Sequence, residues 1–140
     1  MSLERFCRKE VVRSPADASV MSVARKMREN HVGAVVIVDR ADRPVGIVTD
    51  RDIACRLVAT GGDAKTAAVD SLMSRELVTV KREGTIDEVA FSMRKHGVRR
   101  VPILGPEGEL AGMVSLDDLA VLFSAELAAT VAALRDNRGP

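Results

Sequence analysis

The feature that most constrains this chain is that it repeats itself. Sliding the sequence by 66 positions lays residues 3–57 on 69–123 without a gap, and 13 of the 55 pairs are identical. Glu10/Glu76, Val23/Val89, Met27/Met93, Val35/Val101, Ile37/Ile103, Gly46/Gly112, Val48/Val114 and Asp52/Asp118 are among them. Each copy is too short to bury a core comfortably alone, so the halves are expected to pack face to face. The chain divides into repeat 1 (3–57), a linker (58–68) centred on Gly61-Gly62-Asp63, repeat 2 (69–123) and a C-terminal helical extension with its tail (124–140).

Each repeat reads in the order β-α-β-β-α. Val11-Val12 and Leu77-Val78 are apolar segments short enough for brief strands, followed by loops at 13–18 and 79–84. Ser19 and Thr85 are good helix N-caps, and Glu88 is placed to complete a capping box with Thr85. Behind them Val20, Val23, Ala24, Met27 and Ile86, Val89, Ala90, Met93 fall at i, i+3, i+4, i+7, the apolar stripe of an amphipathic helix. His31 and Gly97 follow the last turn, where glycine suits the C′ position. The runs 35–38 and 101–104 are buried strands, the polar stretches 39–43 and 105–109 are turns, and 45–48 and 110–114 return as second strands. The closing helices then open at Thr49 and Ser115. Beyond Phe123 an Ala- and Leu-rich stretch continues the last helix to Arg135, with Leu127, Val131 and Leu134 as a sticky stripe and 137–140 expected to fray.

Composition narrows the function. The chain has no Trp or Tyr and three Phe, which disfavours an aromatic platform for single-stranded nucleic acid. Its 21 basic and 20 acidic residues leave a formal net charge of +1, so no global field favours nucleic acid or an anionic membrane. No signal-peptide core and no apolar run near 18 residues is present, which points to a cytoplasmic protein. Cys7 and Cys55, without metal-ligand or disulfide spacing, read as small buried hydrophobes in a reducing compartment. No metal site and no catalytic motif emerges, so the chain is read as a non-enzyme.

The chemistry that remains sits at the two repeated corners, Thr49-x-x-Asp52 and Ser115-x-x-Asp118. A hydroxyl N-cap with an acid at N3 is an ordinary way to start a helix. The same geometry also makes an anion site from free N–H groups and a hydroxyl, with a carboxylate one turn along able to accept from two ribose hydroxyls. Two such corners, one per half, raise the odds of a nucleotide cleft. Arg99-Arg100 is the sharpest asymmetry between halves, the matching residues being Gly33 and Ala34. These arginines are either solvated or face phosphates held at a hydroxyl corner. Gly33-Ala34 leaves room for a flat base. His31 and His96 read as helix caps or surface residues.

Together these features resemble the CBS-domain pair, the Bateman module named after cystathionine β-synthase, over roughly residues 3–123. Val69-Asp70-Ser71-Leu72-Met73, Thr79-Val80, Arg99-Arg100-Val101-Pro102-Ile103 and the two Gly-x-Val-Thr/Ser-x-x-Asp corners carry the resemblance. It implies tandem β-α-β-β-α units about a pseudo-two-fold axis, an α/β (α+β) fold, usually a homodimer of modules, and clefts for adenosine-containing ligands: AMP, ADP, ATP, S-adenosylmethionine or NAD. Carried over, one cleft uses Ser115 and Asp118 with Val32, Gly33 and Ala34. The other uses Thr49 and Asp52 with Thr79, Val98, Arg99 and Arg100. Repeat 1 departs from the pattern at Arg13, opposite Thr79, at Val36, opposite Pro102, and in its opening residues 3–7, which points to an altered or empty cleft on one side.

The sequence is therefore read as a stand-alone regulatory module with no obligatory cofactor. It is expected to bind an adenosine-containing small molecule, to form a homodimer and to signal occupancy to an unidentified protein partner, without nucleic acid or membrane. The alternative is an adaptor that binds no ligand, dimerising or docking through residues 124–135.

Overall fold

The computed structural model of the protein describes residues 2–136, so the expected fraying at 137–140 lies outside the described residues. It is a mixed α/β fold with two three-stranded sheets. A short helix α1 (Leu3–Phe6) precedes β1 (Arg13–Pro15), α2 (Val20–Asn30), β2 (Ala34–Val38), β3 (Pro44–Thr49) and α3 (Asp50–Asp52). The second half runs β4 (Val80–Lys81), α4 (Ile86–His96), β5 (Arg100–Leu104), β6 (Leu110–Ser115) and α5 (Leu116–Asp136). The sheet orders are β1-β2-β3 and β4-β5-β6, with the first pair parallel and the second antiparallel in each.

The local rules hold closely in the middle of each repeat. Ser19 and Thr85 accept from the N–H groups of Ser22 and Glu88 as N-caps of α2 and α4. Thr85 makes only this half of the expected capping box. Both helices end in a left-handed residue, His31 at φ 53° and Gly97 at φ 64°. Strands β2 and β5 carry three buried residues in the middle, Val35-Val36-Ile37 and Val101-Pro102-Ile103. The first strands lie later than the apolar pairs implied: β1 starts at Arg13 and β4 at Val80.

The largest departure is in how the repeats share their cores. The first core holds Val20, Val23, Met27, Val35, Ile37 and Val48, together with Val69, Leu72 and Met73 from the start of repeat 2. The second holds Val89, Met93, Val101, Ile103 and Val114, together with Leu3 and Cys7 from the start of repeat 1. Each leading segment thus crosses to the other half. Arg8 and Met113 exchange two backbone hydrogen bonds of 3.0 Å, and Ser74 and Ile47 exchange the equivalent pair at 2.9 and 3.0 Å. The repeated glycines make the crossing possible. A Cβ on Gly46 would collide with Met73 Sδ, and one on Gly112 would stand 2.6 Å from Cys7 Sγ.

Two further stretches differ from a simple repeat. After α3 the helix of repeat 1 continues as a π-helical stretch, Ile53–Val58, whereas its counterpart α5 runs 21 residues. The linker is no slack tether. Ala67 and Ala64 accept from the N–H groups of Val20 and Met21, satisfying the first turn of α2, and both alanines pack on the first core. Cys7 is buried, and desolvation pushes its thiol pKa up. Cys55 is exposed, against the expectation that both cysteines are interior.

Candidate functional site

The site is built where β-strand ends, a helix start and a crossing segment converge. Strand β6 alternates, burying Leu110, Gly112 and Val114 and turning Met113 and Ser115 outward. Ser115 then caps α5: its hydroxyl accepts from Asp118 N–H at 3.1 Å, and Asp118 Oδ2 accepts from Ser115 N–H at 3.2 Å. The crossing segment lays Arg8 against Met113, so its guanidinium reaches the same carboxylate. Nη2 and Nε donate to Asp118 Oδ1 at 2.7 and 3.2 Å. Burial raises the Asp118 pKa, but the Arg8 guanidinium and the side-chain and backbone hydrogen bonding of Ser115 outweigh it and hold the carboxyl below the usual aspartate range.

Across from this corner runs the α2–β2 connection. A cleft of about 280 Å³ lies between them, with Val32, Gly33, Ala34 and Arg100 facing Arg8, Met113, Ser115, Asp117 and Asp118. Glu10, Val11, Val12 and His31 complete its lining. Gly33 keeps one wall low: a Cβ there would lie 3.1 Å from Asp50 Oδ2 and 3.7 Å from Arg100 Nη2. Among the described residues Arg100 has no ion-pair partner within 4.0 Å, whereas Arg8 is engaged by Asp118. The cleft therefore offers one uncommitted guanidinium, a hydroxyl, a carboxylate and an apolar wall.

Thus Val32, Gly33, Ala34, Ser115 and Asp118, grouped from the sequence, are gathered by the structure into one cleft. The second group is not gathered. Thr49 and Asp52 form a complete capping box at α3, and Asp52 Oδ1 lies 3.7 Å from Arg56 Nε. Thr79 lines a separate depression with Val80, Lys81, Glu83 and Phe91. Val98 and Arg99 line an apolar groove between α4 and α5, and Arg99 Nη2 reaches Asp117 Oδ1 at 3.4 Å. Arg100, expected with Thr49 and Asp52, lines the Ser115–Asp118 cleft instead. The reason is register: Arg100 stands opposite Ser115 in the antiparallel β5–β6 pair, so it shares the cleft of its own strand partner.

Arg8 was not legible as a site residue. Its repeat partner is Ser74, and only the crossing of the leading segment carries it to Asp118. His31 does cap α2 as read, and it also borders the cleft. Arg13, the departure in repeat 1, pairs with Asp42 and reaches Leu110 O at 3.5 Å, holding the β2–β3 turn against β6. Among the described residues no group of three or more His, Cys, Asp or Glu stands together as a metal site, and no helix is long and apolar enough to cross a membrane.

Comparison with known proteins gives two matches to the CBS domain, at residues 3–59 and 69–124. Protein MK0525 of Methanopyrus kandleri is 32% identical over 119 residues, 85% of this chain, and the match spans only 61% of that relative's length. Hypoxic response protein 1 of Mycobacterium tuberculosis is 36% identical over 102 residues, 73% of this chain and 71% of that protein. A crystal structure of hypoxic response protein I with two coordinated zinc ions superposes with a TM-score of 0.78 at 31% identity, covering 86% of this chain and 97% of the other. The CBS domain pair of protein MJ0100, in complex with 5′-methylthioadenosine and S-adenosylmethionine, superposes with a TM-score of 0.79 at 24% identity, covering 90% and 98%.

Proposed function

This chain belongs to the CBS-domain family, and from that premise we propose that it is a regulatory, non-catalytic module that binds an adenosine-containing ligand in the Arg8–Asp118 cleft. The observation that carries the reading is the convergence of Ser115, Asp118, Gly33 and Arg100 on one cleft between the halves. Asp118 is the acceptor for ribose hydroxyls, Gly33 and Ala34 with Val32 are the wall for the base, and Arg100 meets a phosphate or carboxylate. MJ0100 carries S-adenosylmethionine and methylthioadenosine in the same fold; at 24% identity that likeness is one of fold, so the assignment of ligand class rests on the cleft.

Thr49 and Asp52, with Thr79, Val98 and Arg99, are proposed as a second site; Thr79 lines one depression and Val98 and Arg99 another. Signalling follows by population shift: a ligand touching both halves favours one arrangement of the modules in a homodimer, which a partner protein in the cytoplasm reads. The adaptor reading keeps one observation in its favour, the exposed apolar residues of α5.

The deciding experiment is a thermal-shift panel of AMP, ADP, ATP, S-adenosylmethionine, NAD and guanine counterparts. A ligand that binds only the folded state at a hundred times its Kd adds about 2.7 kcal/mol. An adenine-specific shift lost in Asp118→Ala and kept in Asp52→Ala supports the cleft; no shift with any of them moves the assignment to the adaptor.

A further inference from the structure

One lysine of repeat 1 has no counterpart in repeat 2. Lys26 Nζ donates to Arg13 O at 2.7 Å, spanning from α2 to a carbonyl of the edge strand β1. Such a side chain fills the span with an apolar stem and ends it in three donors. The repeat 2 equivalents are Ser92 and Thr79, and a serine is too short to cross. Among the described residues no other donor reaches Thr79 O. What is left is a depression of about 480 Å³ between α4 and β4, bordered by Thr79, Lys81, Glu83, Glu88, Phe91 and Ser92.

The lining has changed with the gap. In repeat 1 the equivalent positions carry three cations, Arg13, Arg25 and Lys26, and one acid, Asp17. In repeat 2 they carry one cation, Lys81, and two acids, with Thr79, Phe91 and Ser92 where the three cations stood. Arg82 engages Glu83 at 3.2 Å, but Glu88 has no cation within 4.0 Å among the described residues. Nor does Glu88 complete the capping box with Thr85. Its Oε2 stands instead over Gly84, where a Cβ would lie 2.5 Å away, at the rim of the depression.

Phe91 supplies the apolar part. Its ring is 58% exposed and already holds Lys95 Nζ 5.9 Å from its centroid, so it takes both a carbon stem and a cation. A carbonyl, a hydroxyl and an unpaired carboxylate around one gap match the three donors of a primary ammonium. We propose that this depression binds a primary alkylammonium group, its stem on Phe91 and its charge on Thr79 O, Ser92 Oγ and Glu88, in the place that Lys26 fills in repeat 1. The site shares no lining residue with the Ser115–Asp118 cleft and is independent of adenosine binding.

Titrating the isotope-labelled protein with 1,5-diaminopentane should shift the amide signals of Glu88, Phe91 and Ser92, and 1-pentanol, which has no charge, should leave them in place. Ser92→Lys fills the gap from within, so it should lose the response while keeping its Tm. Glu88→Gln should weaken binding about fivefold, the scale of an exposed ion pair. Lys26→Ser opens the repeat 1 gap among Arg13 and Arg25 and should gain no amine site. Nα-acetyllysine amide binding as tightly as the diamine supports the site with a protein's lysine as the source; binding of the diamine alone supports it with a free amine. A diamine that shifts none of these signals, or shifts them equally in Ser92→Lys, overturns the site. Equal shifts with 1-pentanol mean an apolar depression only and overturn the ammonium assignment.

Discussion

Arg8 Nη2 lies 2.7 Å from Asp118 Oδ1, joining the start of one repeat to the last helix of the other across 110 residues. The second carboxylate oxygen is committed to Ser115 N–H. One side chain thus caps a helix, anchors the crossing segment and faces the cleft. Arg8 is 71% exposed, so the pair is worth at most about 1 kcal/mol to the fold. Its interest lies in what it does to the cleft.

Acid should open this contact. Asp118 has a lowered carboxyl pKa in the folded state, so its stabilising contribution is fully present above the ordinary aspartate value of about 3.9 and is lost as pH falls through the lowered value. Asp118→Asn has no charge to lose. The Tm gap between wild type and Asp118→Asn should therefore narrow on acidification below about pH 4. A gap that stays constant would remove Asp118 from the stabilising ion pair.

On the proposed reading, Arg8 should also set ligand preference. Its removal leaves a further lone pair of Asp118 Oδ1 open to ribose hydroxyls and takes one cation from the cleft. In Arg8→Ala the affinity ratio of ATP to adenosine, measured by calorimetry, should fall about tenfold, equivalent to ~1.4 kcal/mol. An unchanged ratio would leave Arg100 as the sole cation meeting the phosphates.

The crossing segments predict a reciprocal steric effect. Gly46→Ala drives a methyl into Met73, and Gly112→Ala drives one into Cys7 and the carbonyl of Arg8. Each should cost about 1–3 kcal/mol in denaturant unfolding. Because the clash at Gly46 is with a side chain, Met73→Ala should offset part of the Gly46→Ala cost, and the double mutant should fall short of additivity. Additive losses would mean that the leading segment does not lie across β3.

The two left-handed helix ends give an opposed pair. Gly97 at φ 64° meets no neighbour, so Gly97→Ala pays only the backbone penalty of about 1 kcal/mol. His31 already occupies that conformation with a side chain, so His31→Gly should stabilise by up to about 1 kcal/mol. Thermal unfolding of the two variants should shift in opposite directions.

Much of this architecture was legible because its determinants are short-range. The stripes of α2 and α4, the Ser19 and Thr85 caps and the apolar runs of β2 and β5 need only neighbours within about two helical turns, where periodicity speaks directly. The corners at Thr49 and Ser115 were found as repeats, and both do cap helices. Their chemistry as a ligand site needed the arrangement around them, which differs between the two: Asp118 meets Arg8 from the far end of the chain, whereas Asp52 faces Arg56 one turn along.

What the amino-acid sequence determined by itself was the duplication, the element order and the identity of the buried faces. Tertiary structure decided which half each leading segment completes, and therefore that Arg8 reaches Asp118, while the β5–β6 register put Arg100 in the Ser115 cleft. The physical reason is that burial against either core would take Leu3 and Cys7, or Val69, Leu72 and Met73, out of water, and the hydrophobic effect is non-directional, so hydrophobic pattern cannot choose between them. The choice falls to the backbone bonds of Arg8 with Met113 and Ser74 with Ile47, and to the room left by Gly112 and Gly46, long-range pairings that no local spacing encodes.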